Sequence, residues 1–355
     1  MAAAVKAPPA PTGAITAKKS SSISIGYVAM VLLSIQFGLQ PILSKEFASQ
    51  VKNRTVLVVG CEAFKLLLSL LILVSSGSIG RVAKTWRLRD SLVTSGLPAC
   101  TYAVQNVLIQ VAYQHLPSIV SNLMNQTKLL SAALFLYFLM GQRFSKQQCF
   151  AMLLLLSAAV LLSLAKHSSN SSSNTTQDLA APSAMALQLG LVSVLLASLL
   201  SGFGSTLTQR AMQQHKRDAV LVTIELSIYG SLFLIILPAM WSLVVTTPGS
   251  ESSAADTWWT RLDKIFEGCD YNTLIPVMSN ALGGLLVGTV TKQLGGVLKS
   301  FALICGIAFT AFVESYVYDT VLPNEVFIAA ALVATSMAIY SRFPYVDKAV
   351  KIKME

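Results

Sequence analysis

Apolar residues run along this chain in long blocks, broken by short polar or basic stretches. A helix needs about 20 largely apolar residues to cross the hydrocarbon core of a bilayer. Ten blocks approach that length: residues 25–44, 55–75, 91–112, 119–139, 147–165, 184–208, 219–244, 272–291, 298–318 and 323–341. The pattern predicts an all-α, polytopic membrane protein with ten transmembrane helices. Pro117 and Pro323 fall in short links and predict helical hairpins. The third and fourth blocks carry Gln and Asn and little charge, so they should face protein or water rather than lipid.

A Ser/Asn/Thr-rich linker, residues 166–183, divides the chain into halves at 25–165 and 184–341, flanked by an N-tail (1–24) expected to be disordered and a C-tail (342–355). Five spans per half is an odd number, so the halves should be inverted in the membrane. A 5+5 inverted repeat places a transport site at the midplane between halves. No residue-level repeat is evident. The first block lacks an Ala-x-Ala cleavage site, so it is expected to be a span rather than a signal peptide.

Charge gives orientation. With both termini cytosolic, the inside segments hold eighteen Lys and Arg and the outside segments six, Lys45, Lys52, Arg54, Lys166, Arg261 and Lys264. That asymmetry is the positive-inside pattern. It also accounts for the net charge of +10 without a nucleic-acid partner. Two sequons, at Asn170 and Asn174, lie in the linker expected to be lumenal and are candidate glycosylation sites. Lys351 and Lys353 stand fifth and third from the end, the spacing of a di-lysine retrieval signal read by a cytosolic coat; an ordinary basic tail is the alternative.

With 54% hydrophobic and 12% charged residues the chain is not a soluble domain. The five cysteines are scattered and the three histidines lie far apart, so neither a disulfide framework nor a metal site is expected. The sequence holds no zinc-protease motif, nucleophile elbow or P-loop, and neither enzymatic activity nor a cofactor is expected.

Polar groups inside apolar spans mark a pathway or a site, because a charge near hydrocarbon is costly. Glu62 and Lys65, three residues apart, lie on one face and suit a structural ion pair. Lys128 has no acid near it in sequence; an ion pair with Glu62 or Glu225 is its structural alternative. Lys292 and Lys299 border a glycine-rich run that includes Asn280, Gly283, Gly284 and Gly288. The Gly284–Gly288 spacing suits close helix packing, either internal or in a homodimer. Lys128, Lys292 and Lys299 would suit a phosphate or diphosphate. Tyr102, Gln105, Asn106, Ser121, Asn122, Asn125, Thr223 and Glu225 form polar stripes that would suit a base and a sugar.

Three stretches together resemble nucleotide-sugar transporters of the endomembrane system, within the drug/metabolite transporter superfamily. They are Tyr102-Ala-Val-Gln-Asn106 with Asn125-Gln-Thr-Lys128; Ser201-Gly-Phe203 with Glu225-Leu-Ser-Ile-Tyr-Gly230; and Gly283 through Lys292 with Lys299-Ser-Phe301. The resemblance implies exchange of a nucleotide sugar for a nucleoside monophosphate, with phosphate held at Lys128 and Lys292 and the span-four and span-seven residues lining the pocket. Here the sequence departs from the family. Ser121, Asn122 and Asn125 replace tyrosine–glutamine pairs, Val222-Thr223-Ile224-Glu225 replaces Arg-Asn-x-Gln, and Thr208-Gln209 replaces Phe-Glu. That pattern, with Ser279-Asn-Ala-Leu-Gly-Gly and Phe343-Pro-Tyr-Val-Asp-Lys348, is similar to a plant endoplasmic-reticulum subgroup linked to UDP-N-acetylglucosamine and UDP-N-acetylgalactosamine. The resemblance therefore implies a UDP-N-acetylhexosamine carrier of the endoplasmic reticulum or Golgi membrane. CMP-sialic acid or UDP-galactose transport, or a membrane-embedded sugar transferase, are the alternatives.

Overall fold

The computed structural model describes residues 12–51, 54–116, 118–171, 184–245, 267–317 and 322–345. Within them the elements are α1 (Thr12–Phe47), α2 (Arg54–Ser75), α3 (Ile79–Thr85), α4 (Leu88–Ser91), a π turn (Leu92–Gly96), α5 (Leu97–His115), α6 (Ser118–Asn125) and α7 (Lys128–Met140). α8 (Lys146–Ser171) completes the first half, and the second supplies α9 (Ala184–Gln213), α10 (Ala219–Val245), α11 (Leu274–Gln293), α12 (Gly296–Val317) and α13 (Asn324–Arg342).

The chain is an all-helical, multi-pass membrane protein. Among the described residues nine helical stretches are long and apolar enough to cross a bilayer, and the apolar part of α10, Ala219–Leu234, adds a shorter one. α1 begins at Thr12, inside the segment expected as an N-tail. The outward faces are apolar: Val31 on α1, Leu71 on α2, Phe138 on α7, Phe150 on α8 and Phe327 on α13 are all more than half exposed. Such a belt would aggregate in water and is stable in lipid.

Between helices the packing relies on small residues, which let backbones approach when burial of apolar surface gives no advantage over lipid. The largest core gathers Leu33 of α1, Leu155 and Ala158 of α8, Phe301 and Ala302 of α12, and Ala329 of α13. Pro41 interrupts the hydrogen bonding of α1. One turn earlier the Gly38 carbonyl accepts from Thr310 Oγ1 at 2.8 Å, which ties α1 to α12.

The helix pairings exchange under a swap of halves. α5 packs on α9 as α11 packs on α1, and α7 packs on α9 as α12 packs on α1; α2 lies against α10, and α8 against α13. Glycines carry the same exchange. On α1, Gly26 meets Gln293 and Leu294 at the end of α11, and Gly38 meets Gly306 and Phe309 of α12. On α9, Gly190 meets His115 and Leu116 at the end of α5, and Gly202 meets Ser131 and Ala132 of α7. Each pair is spaced twelve residues apart, a two-position repeat too sparse to find in the sequence alone.

The fourth span is not continuous. A turn at Gln126–Thr127 separates α6 from α7, so the expected span 119–139 is broken just before Lys128. The Thr127 hydroxyl donates to Met124 O at 2.7 Å and holds the turn. No glycine or proline marks it.

Candidate functional site

Two adjoining cavities, about 280 and about 200 Å³, lie between the halves. Tyr102, Ser205, Val287 and Lys299 line both, which makes them one chamber. α9 supplies Ser201, Ser205, Thr208 and Met212, one residue per helical turn on a single face. Gly204, on the neighbouring face, leaves room for α5: a methyl there would sit 3.3 Å from the Tyr102 ring.

Three lysines enter this chamber and, among the described residues, no carboxylate lines it. Lys299 Nζ donates to Ser205 Oγ at 3.0 Å. Lys128 is the first residue of α7 and has no hydrogen-bond or ion-pair partner among the described residues. Neither structural alternative for it is met, because Glu62 pairs with Lys65 at 2.7 Å and Glu225 pairs with Arg217 at 2.7 Å. The N-terminus of α7 adds backbone N–H groups and the positive end of a helix dipole beside Lys128.

Lys65 is the third. Its Nζ bonds Glu62 Oε1 as expected, yet its stem crosses Gly284 and the side chain lines the larger cavity. The pair expected to be only structural therefore delivers a cation to the chamber. Gly284 participates by having no side chain.

Lys292 goes elsewhere. It lines a third cavity of about 670 Å³ at one end of the bundle, walled by the α2–α5 connection and the α9–α10 turn. Glu225, 5% exposed at its side chain, anchors that wall. It accepts from Arg217 Nη2, from Trp86 Nε1 at 2.9 Å and from Ser95 Oγ at 2.5 Å. Arg217 also reaches Asp90 O and the Thr94 hydroxyl, and Tyr229 bonds Ser91 at 3.1 Å. With those partners the Glu225 carboxylate is committed to protein.

The other expected residues divide. Thr223 lines the chamber, where its hydroxyl donates to Ala219 O at 2.8 Å. Gln105 Oε1 and Ser121 Oγ are buried without a hydrogen-bond partner among the described residues, and Asn125 is half-buried at the end of α6. Asn106 and Asn280 are exposed and line none of the three cavities. Asn122 belongs to α6, its side chain being outside the described residues. Asn170 falls in the last turn of α8, while Asn174, Lys351 and Lys353 lie outside the described residues. Ser201, Ser205, Thr208, Thr291 and Ser300 line the chamber and were not expected. The signal for the first three was present as i, i+4, i+7 spacing. Among the described residues no group of three His, Cys, Asp or Glu is placed to hold a metal.

Two glutamines secure the α11–α12 hairpin to α9. Gln209 Oε1 accepts from Gly296 N at 2.7 Å, and Gln213 Nε2 donates to Thr291 O at 3.0 Å. Gly295 turns that corner at φ +90°, a conformation that side chains rarely adopt. Thr208-Gln209 thus splits its work: one residue faces the chamber and the other holds a hairpin whose next turn carries Lys299.

Comparison with known proteins identifies the family of the chain. The sequence model of the family described as "Nucleotide-sugar transporter" matches residues 20–341. The chain is 38% identical over 319 residues to the UDP-N-acetylglucosamine transporter ROCK1 of Arabidopsis thaliana, covering 90% of this chain and 92% of the relative. It is 25% identical over 249 residues to the UDP-N-acetylglucosamine transporter of Rattus norvegicus, 70% of each chain. It is 22% identical to CMP-sialic acid transporter 2 of Oryza sativa subsp. japonica, over 93% of this chain and 86% of that one. A crystal structure superposes with TM-score 0.58 at 14% identity, covering 91% of this chain and 97% of its own, a likeness of fold alone.

Proposed function

Because the chain belongs to the nucleotide-sugar transporter family, we propose that it carries UDP-N-acetylglucosamine or UDP-N-acetylgalactosamine from the cytosol to the lumen of the endoplasmic reticulum or Golgi, in exchange for UMP. The single observation that carries the site is the chamber between the halves, entered by Lys65, Lys128 and Lys299 and, among the described residues, lined by no acid. A diphosphate there meets fixed positive charge in a poorly screened environment, where such pairing is strongest. Tyr102 and the hydroxyls of Ser205, Thr208 and Thr223 offer a ring face and hydrogen-bond partners to base and sugar. The exchanged helix pairings and the twelve-residue glycine spacing support an inverted repeat, and rocking of one half on the other would expose the chamber alternately to each side.

The basic cavity beside Lys292 supports a cytosolic assignment for that end of the bundle, with both termini on the same side. Lys351 and Lys353 would then be cytosolic, where a coat can read them, and Asn170 and Asn174 lumenal. No chemistry is required of the protein beyond binding and rearrangement, which is why transport is preferred to sugar transfer.

Proteoliposomes preloaded with UMP test the reading. Labelled UDP-N-acetylglucosamine should enter them faster than empty vesicles, and unlabelled CMP-sialic acid and UDP-galactose should compete poorly. Uptake indifferent to preloading would reject exchange. Stronger competition by CMP-sialic acid would move the substrate to that alternative.

A further inference from the structure

The cavity at the end of the bundle shares no lining residue with the chamber. Thr291 lines the chamber and the next residue, Lys292, lines the outer cavity; Thr223 faces inward where Leu221 faces outward. Its volume of about 670 Å³ lies inside the range of roughly 300–1,000 Å³ typical of ligand pockets. Five basic side chains line it, Arg81, Arg89, Lys216, Arg217 and Lys292, against two acids, Asp90 and Asp218. Arg217 is neutralised by Glu225, whereas Arg89 and Lys216 are exposed to the cavity and to solvent.

The walls are fixed. Trp86 donates its indole N–H to Glu225 at 2.9 Å, which orients the ring, and the residue remains 43% exposed. Lys216 sits in a tight turn at φ +51°, held by bonds from His215 N to Arg210 O and from Arg217 N to Ala211 O. Asp218 Oδ1 accepts from Val220 N at 2.8 Å and is occupied in capping α10. The result is an oriented aromatic face beside two solvent-exposed cations, one of them on a turn of defined backbone, a combination that a phosphate alone does not need.

We propose that this vestibule is a second binding station for a uridine nucleotide, in which the base stacks on Trp86 and the phosphates lie among Arg89, Lys216 and Lys292. Aromatic stacking tolerates any base, and a basic cleft raises the local concentration of an anion before it enters. The station rests on the transport reading above, since it supplies the same cargo to the inner chamber. It differs from that reading in requiring two sites that fill independently. An anionic lipid headgroup shares the phosphate chemistry but offers no flat base to Trp86.

The test uses the fluorescence of Trp86. Replacing Trp241, Trp258 and Trp259 by Phe leaves it the sole tryptophan of the four in the chain. In nanodiscs of neutral phosphatidylcholine, UMP and UDP-N-acetylglucosamine should quench it saturably and inorganic phosphate should not. The quench should persist in the Lys128→Ala/Lys299→Ala variant and weaken at least tenfold in Arg89→Ala/Lys216→Ala. UMP-dependent thermal stabilisation of that second variant verifies that its chamber is intact. Absence of a saturable quench, or its loss together with Lys128 and Lys299, overturns the proposal. So does a Trp86 response to phosphatidylinositol in the nanodisc with none to nucleotide. Normal uptake by the Lys128→Ala/Lys299→Ala variant is a separate result, and it would bring down the chamber rather than the vestibule.

Discussion

The stem of Lys65 crosses the helix opposite it at a position where that helix has no side chain: a methyl group on Gly284 would lie 2.5 Å from Lys65 Cδ. α2 and α11 belong to different halves of the chain, so a charge on one half reaches the chamber through a gap in the other. Glu62 holds the ammonium group at 2.7 Å and lowers the cost of keeping it in the membrane.

That relationship predicts the behaviour of Gly284→Ala. The added methyl must push the Lys65 stem aside and withdraw its ammonium from the chamber. A charge-assisted hydrogen bond is worth about 1.5–3 kcal/mol, so UMP affinity should fall roughly 10- to 100-fold. Lys65→Ala should show the same loss, and the double variant little more, because both remove one contact. Isothermal titration on purified protein measures all three. Additive losses would separate the two residues.

Lys128 and Lys299 make a simpler prediction. Each replaced by Ala should weaken UMP binding by about 1.5–3 kcal/mol, roughly 10- to 100-fold. The melting temperature with UMP present reports this directly, since a ligand stabilises the folded state by RT ln(1 + [L]/Kd). Wild-type protein should gain stability with UMP, and the double variant should gain distinctly less at the same concentration, keeping only what the outer cavity contributes. Lys292→Ala, whose side chain lines the outer cavity, should keep the gain. Loss of the gain there would return Lys292 to the phosphate site.

How much of this site was legible in the sequence depends on which physical rule writes each part. The spans were legible because a bilayer demands about 20 apolar residues whatever the function. Lys128 was legible because an unpaired cation in such a run is rare. The break at Gln126–Thr127 was not, since a hydroxyl-to-carbonyl bond within one turn holds it without glycine or proline. Lys65 was legible in part: its pairing with Glu62 at i−3 is present, and only the position of Gly284, more than two hundred residues on, shows where its stem leads. Glu225 was expected in the pocket because an acid and a tyrosine share a face of α10. Its partners Trp86 and Ser95 are 139 and 130 positions away, and no local pattern announces them.

The glycine repeat can be tested by stability alone. A methyl on Gly202 would lie 2.6 Å from Ala132 N and from Ser131 C, and one on Gly38 would lie 2.8 Å from Gly306 O. Backbone atoms cannot rotate away, so α9 must part from α7, or α1 from α12. Overpacking of this kind costs about 1–3 kcal/mol, and Gly202→Ala and Gly38→Ala should both lower the melting temperature measurably. Gly230→Ala, with no atom within 4 Å of the added methyl, is the control and should leave it unchanged or raise it slightly. A drop at Gly202 without one at Gly38 would break the correspondence between halves.

Glu225→Ala separates anchoring from ligand contact. Arg217 and Glu225 are 13% and 5% exposed at their side chains, so removing the acid leaves a largely buried guanidinium without its counter-charge. Breaking a buried pair costs about 3–5 kcal/mol, and the variant should melt well below wild type. Trp86 and Ser95 also lose their acceptor, freeing the wall between the outer cavity and α10. Removing the charge from both partners, as in Glu225→Gln/Arg217→Gln, should recover part of the lost stability, because no buried charge is then left over. UMP affinity of the chamber, measured below the melting range, should change little in either variant, since the carboxylate is held by protein groups, whereas the Trp86 quench should weaken as the ring loses the bond that orients it. A large loss of affinity in the stable double variant would mean that Glu225 touches cargo after all, and that the chamber extends past Thr223 into the space beside Trp86.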